Sequence, residues 1–125
     1  MILFKDWMIQ VNGMIARQYD NLSRRLDVIG ELPEGWSWEL LVRADSREAV
    51  IELEPTDGGA GVTLTRDQLS IAGYYSLQLR GTQGEVVRHT NIAQTFVPES
   101  LTGTGQWPSA PGGVSASVKD ETLIL

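Results

Sequence analysis

The feature that most constrains this chain is a two-residue rhythm of apolar and polar side chains, repeated in short stretches that turn-forming residues separate. Residues 36–43 show it best: Trp36, Trp38, Leu40 and Val42 share one parity, while Ser37, Glu39 and Arg43 share the other. Successive side chains of a strand point to opposite faces, so this period lays an apolar stripe on one face of a sheet. A helix, with about 3.6 residues per turn, would scatter the same residues around its axis. The rhythm recurs in Trp7, Ile9 and Val11, in Leu22, Leu26 and Val28, in Ala49, Ile51 and Leu53, and in Val62 and Leu64. It returns in Tyr75, Leu77 and Leu79, set against Tyr74, Ser76, Gln78 and Arg80. Asn12-Gly13, Asp45-Ser46, the glycine-rich turn Asp57 to Gly61, and Gly81-Thr82-Gln83-Gly84 punctuate these runs.

The stretch from Glu85 to Val97 changes parity midway: Val86, Ile92 and Phe96 are even, Val87, Ala93 and Val97 odd. One inserted residue, a β-bulge, reconciles the two halves. Helical signals are sparse. Thr65 followed by Gln68 makes a capping box for a single turn ending at Leu69, and residues 14–20 hold at most another turn. The pattern predicts an all-β fold, an antiparallel β-sandwich of about seven strands. Leu, Ile, Val and Phe supply 34 of the 125 residues, enough for a core of that size. Residues 1–101 are read as the sandwich. Residues 102–113, rich in Gly and Pro, are read as a linker, and residues 114–125 as an apolar, strand-like tail in which Val114, Ala116 and Val118 alternate and Leu123, Ile124 and Leu125 end the chain. A flexible linker of that length spans roughly 20 Å, far enough to carry the tail to the sandwich edge or to a neighbour.

Charge and composition narrow the chemistry. Ten basic against 16 acidic residues give a formal charge of −6, which disfavours nucleic acid and anionic membrane as partners. No cysteine is present, so disulfides, thiolate metal sites and thiol nucleophiles are excluded together. His89 is the single histidine and has no second one with which to share a metal; it reads as a surface histidine of a strand. No Gly-x-Ser-x-Gly elbow occurs, and no glycine cluster is followed by Lys-Ser/Thr, so neither a serine triad nor a phosphate cradle is expected. Asp45, Glu48, Glu52, Glu54 and Asp57 cluster around one hairpin. Glu52 and Glu54 would stand about 7 Å apart on one strand face, a spacing open to glycoside or calcium chemistry but better read as a solvated outer face. The reading is therefore no enzyme, no cofactor and no metal. The start, Met1 to Asp6, has no basic segment ahead of its apolar tetrad, so no signal peptide is expected.

Four tryptophans are present. Trp7, Trp36 and Trp38 fall in the core stripes, whereas Trp107 lies in the linker and is a candidate anchor for a partner. Leu41, Val50 and Tyr74 fall on otherwise polar strand faces; together they would form an exposed apolar patch suited to docking. With Trp107, Leu123, Ile124 and Leu125 they make up the candidate interaction residues.

Two resemblances follow from particular residues. The segment Ile71-Ala72-Gly73-Tyr74-Tyr75-Ser76-Leu77 resembles the tyrosine corner of immunoglobulin-like domains. That resemblance implies an immunoglobulin-like sandwich, with Leu26 and Leu77 at the two cysteine positions and Trp38 packed over them, so that Leu26, Trp38, Tyr75 and Leu77 form a structural core. More broadly, residues 7–101 resemble the N-terminal Ig-like domain of phage baseplate upper proteins and related prophage tail-fibre proteins. The likeness rests on Asp20-Asn21-Leu22-Ser23, Ala49-Val50-Ile51-Glu52-Leu53, Leu64-Thr65-Arg66-Asp67-Gln68-Leu69, Gly73-Tyr74-Tyr75-Ser76-Leu77-Gln78-Leu79-Arg80 and Val97-Pro98-Glu99-Ser100-Leu101. It implies a non-enzymatic structural or adaptor protein of a phage tail or baseplate, made in the bacterial cytoplasm and built into the virion. Its expected partners are other protein chains: baseplate or fibre components and further copies of itself. The alternative from another class is a carbohydrate-binding β-sandwich module, suggested by the aromatic count, with a host-surface glycan as partner.

Overall fold

A computed structural model describes residues 1–105 and 107. The tail 114–125, with Leu123, Ile124 and Leu125, and most of the 102–113 segment lie outside the described residues. The fold is an all-β sandwich of two packed sheets. Among the described residues its ten strands are β1 (Ile2–Lys5), β2 (Met8–Val11), β3 (Arg25–Gly30), β4 (Ser37–Ala44), β5 (Arg47–Glu52), β6 (Glu54–Thr56), β7 (Gly59–Thr63), β8 (Gly73–Gln83), β9 (Val86–His89) and β10 (Ala93–Val97). The first sheet has the order β2-β1-β3-β7-β6; the second runs β10-β8-β4-β5, with β9 also on β8.

Three strands beyond the seven expected have separate physical origins. Met1-Ile2-Leu3-Phe4 has no alternation in type, yet β1 forms because Ile2 and Phe4 enter the core while Leu3 faces out. β6 arises because the chain leaves the second sheet after Glu52 and joins the first at Glu54. The last stretch divides into β9 and β10 at the expected bulge. Between the Arg80–His89 and Leu77–Ala93 pairs, β8 passes Leu79 and Gln78 while the opposite side passes Thr90, Asn91 and Ile92.

The sandwich is not wholly antiparallel: β1 and β3 run parallel, Ile2 opposite Val28. The long connection after β2 makes this possible. Residues 12–24 cross one end of the sandwich, bury Ile15 and Ala16, and are tied down by main-chain bonds from Gln18 to Pro98 (2.9 Å), Tyr19 to Leu69 (2.9 Å) and Leu22 to Leu64 (2.9 Å). Leu22 belongs to this crossing and not to a strand. Its φ is +61° and its side chain is exposed, contrary to its place in the apolar rhythm. Trp7 likewise sits in the two-residue turn between β1 and β2, with Asp6 at φ 51° and Trp7 at φ 61°. That left-handed pair suits the twist of a tight hairpin but is costly for side chains other than Asn, Asp or Gly.

The capping box is present in reciprocal form. Thr65 N–H donates to Gln68 Oε1 (2.9 Å) and Gln68 N–H donates to Thr65 Oγ1 (3.4 Å), opening the 3-10 turn Asp67–Leu69. The core fills the space between the sheets with Ile2, Leu26, Val28, Leu40, Leu69, Leu77, Leu79 and Val97, all fully buried.

Candidate functional site

Two of the candidate interaction residues, Leu41 and Val50, meet on the outer face of the second sheet. Strand register sets its rows. Val50 of β5 lies opposite Leu41 of β4, and Leu41 lies opposite Gln78 of β8. One residue beyond the Leu77–Ala93 pair, the bulge delivers Ile92 to the same row. Leu41, Val50 and Ile92 line a shallow groove of about 350 Å3 in which Gln78 also takes part. Val50 and Ile92 are each more than half exposed, and Leu41 is partly covered.

Both flanks of this row carry paired charges. On one side Arg43 stands 4.0 Å from Glu48; on the other Arg80 Nη2 stands 2.8 Å from Glu39 Oε1, and Arg80 Nε also donates to that oxygen at 2.9 Å. The second pair is only about one-third exposed and its fork contact is the better formed of the two.

Tyr74 shares this face but not the groove. It lies four residues along β8 from Gln78, about 13 Å away at strand rise, and packs edge-on against Phe96 of β10 with ring centroids 5.1 Å apart. Both rings are about half or more exposed. Ile92 and Phe96 were not among the residues singled out from the sequence. Their shared even parity in the last stretch was the available signal, since the bulge turns even positions of β10 outward. Trp107 is exposed and touches no described aromatic partner.

The four expected core residues are all buried and belong to one hydrophobic cluster. Leu26, Tyr75 and Leu77 border a single small gap with Leu40. The Tyr75 hydroxyl donates to the Ile71 carbonyl (2.6 Å) and accepts from the Ile71 N–H (3.2 Å). Burial pushes the Tyr75 phenol above its ordinary value of 10.0, and the Ile71 hydrogen bond opposes that shift in part. Trp38 shares this hydrophobic cluster but stands further along the sheet. Leu77 opposes Val42, whereas Trp38 opposes Gly81, four residues further along β8.

Trp38 also belongs to an aromatic cluster at that end of the sandwich. Its ring lies 5.5 Å from Phe4, 5.1 Å from Trp7 and 6.4 Å from Trp36. Trp7 and Trp36 meet edge-on at 5.0 Å, and the Arg88 guanidinium stacks 4.5 Å over Trp7. Trp7 and Trp36 are only partly buried, so the cluster closes the core and also reaches its rim.

The carboxylate pair read from the sequence does not form. Glu52 ends β5 in one sheet and Glu54 opens β6 in the other, because Leu53 between them turns into the core and its N–H bonds the Trp38 carbonyl (3.1 Å). His89 lies exposed on β9 opposite Arg80. Among the described residues no three His, Asp or Glu side chains converge as a metal site would require. No protein-family model matches the sequence, and no curated protein matches it.

Proposed function

We propose that the protein is a non-enzymatic structural or adaptor module of a phage or prophage tail or baseplate, acting by protein–protein assembly with a second copy of its own chain as the first partner. The observation that carries the assembly reading is the row Val50–Leu41–Gln78–Ile92, three aliphatics and one amide with Val50 and Ile92 more than half exposed, between two flanks that each hold an Arg and a Glu. A two-fold interface brings one patch against itself, so it needs apolar material at its centre and both signs of charge around it. This face meets both conditions. The resemblance of residues 7–101 to baseplate upper proteins supports the setting, a virion. The apolar end of the sequence offers a second contact: the alternation of Val114, Ala116 and Val118 suits addition to an open sheet edge of a neighbour, where main-chain hydrogen bonds supply affinity.

Light scattering coupled to size exclusion tests the reading. The full chain should elute as more than one copy, with a mass that rises with concentration. The double variant V50R/I92R should elute as a single chain with an unchanged sheet-type circular dichroism spectrum, because both positions are exposed and such changes shift stability by only about 0.5 kcal/mol. A wild-type chain that stays monomeric at every concentration, or a variant that keeps the wild-type mass, would remove the proposed face.

A further inference from the structure

Beyond the assembly face, a cavity of about 700 Å3 opens beside the aromatic cluster, on the side where the chain crosses from β5 to β6. Its volume lies within the roughly 300–1,000 Å3 of small-molecule sites. The residues that line it divide by chemistry. Trp36 and Leu53 supply apolar wall, Glu34 and Glu52 are exposed carboxylates at the mouth, and Ser37 and Thr82 add hydroxyls. None of the described lining residues is basic.

We propose that this cavity binds a neutral or amino-substituted glycan. A pyranose ring has an apolar C–H face and a rim of hydroxyl donors. The half-buried Trp36 can take the face, and carboxylates, which only accept hydrogen bonds, can take the rim. Charge sets the selectivity: of the three lining carboxylates Glu39 is neutralised by Arg80, and the two exposed ones, Glu34 and Glu52, repel uronic and sialic acids and favour an amino sugar. Trp36 is held for this role by its edge contact with Trp7, so its ring is positioned before a ligand arrives. The site adjoins the assembly groove through the Glu39–Arg80 ion pair, Glu39 lining the cavity and Arg80 the groove, whereas Val50 and Ile92 line the groove alone.

Calorimetry and tryptophan fluorescence on the full chain, titrated with cellobiose, chitobiose, a glucuronic-acid disaccharide and tetramethylammonium, test the assignment. Cellobiose or chitobiose should give a saturable signal and the uronate none. E34Q/E52Q should weaken binding about tenfold, the scale of losing charge-assisted hydrogen bonds. W36A should abolish it. If W36A does not fold, E34R/E52R serves instead, since both positions are exposed; it should lose the amino sugar and admit the uronate. V50R/I92R should bind as the wild type does, so loss of assembly and loss of this site are told apart. The proposal is overturned by no saturation with either sugar, by uronate binding to the wild type, by tetramethylammonium binding alone, or by sugar binding that survives these substitutions.

Discussion

Gly81 shows how much one residue can decide. A Cβ placed there would come within 2.9 Å of Trp7, 3.0 Å of Trp38 and 3.1 Å of Trp36. All three contacts are ring atoms locked in the aromatic cluster, not the free ends of flexible chains, so the space cannot be yielded cheaply. Gly81→Ala should therefore destabilise the fold by about 1–3 kcal/mol, the cost of overpacking, read as a lower urea midpoint at unchanged slope. Tyr75 acts at the same scale. Its phenol pKa is raised in the folded state, so the native protein holds that proton more tightly than the unfolded chain does. Stability from this source is complete below pH 10, the ordinary phenol value, and falls as the pH rises from there through the raised native pKa. Tyr75→Phe should cost about 1–3 kcal/mol near neutrality by leaving the partly buried Ile71 groups without their partner, and it should flatten the alkaline limb of the stability curve. Equilibrium unfolding followed from neutral to strongly alkaline pH checks both outcomes. The tyrosine contact was legible in the sequence, because it runs over only four residues. The role of Gly81 was not: it stood out only as a turn residue, while the three rings that need its missing side chain come from positions 7, 36 and 38.

At the scale of elements, the bulge between β9 and β10 does more than reconcile parity. Thr90 keeps the ladder intact there, its N–H donating to the Leu79 carbonyl (3.0 Å) and its Oγ1 accepting from the Leu79 N–H (3.0 Å). The extra residue frees Asn91 to reach the other sheet. Its Oδ1 accepts from the Ile9 N–H (2.6 Å) and its amide donates to the Ile9 carbonyl (3.1 Å), so one side chain pairs with β2 as a strand would. It also covers part of an edge that would otherwise be open for association. Asn91→Ala should cost about 1–3 kcal/mol, since it strips two part-buried main-chain groups of partners. The Ile9 amide of β2 should then exchange with solvent faster than it does in the wild type, measurable by hydrogen–deuterium exchange and NMR. If Ile9 protection does not change, the bond between the sheets is not what protects it. The inserted residue could be read from the parity change alone, whereas the purpose of the insertion could not, because Ile9 and Asn91 lie 82 positions apart.

For the whole molecule, the sandwich separates two surfaces of different chemistry: an apolar row with mixed charge on the second sheet, and an acidic, tryptophan-lined cavity where the chain changes sheets. Leu41 and Val50 could be picked out as outward-facing aliphatics, and register places them side by side. Tyr74 shares their parity but stands too far along β8 to join them. The acidic hairpin was legible as charge, but its geometry was not, because two carboxylates two positions apart share a face only if the strand continues, and here Leu53 ends it. By itself, the sequence determined the class of fold, the inward stripes of β4 and β8, the capping box and the inserted residue, since each depends on side chains a few positions apart. Only the tertiary structure decided the parallel β1–β3 pair, the change of sheet at Leu53, the tryptophans gathered on Gly81 and the amide that ties Asn91 to Ile9. Those depend on contacts between distant segments, and local periodicity carries no information about which distant strand a given face will meet.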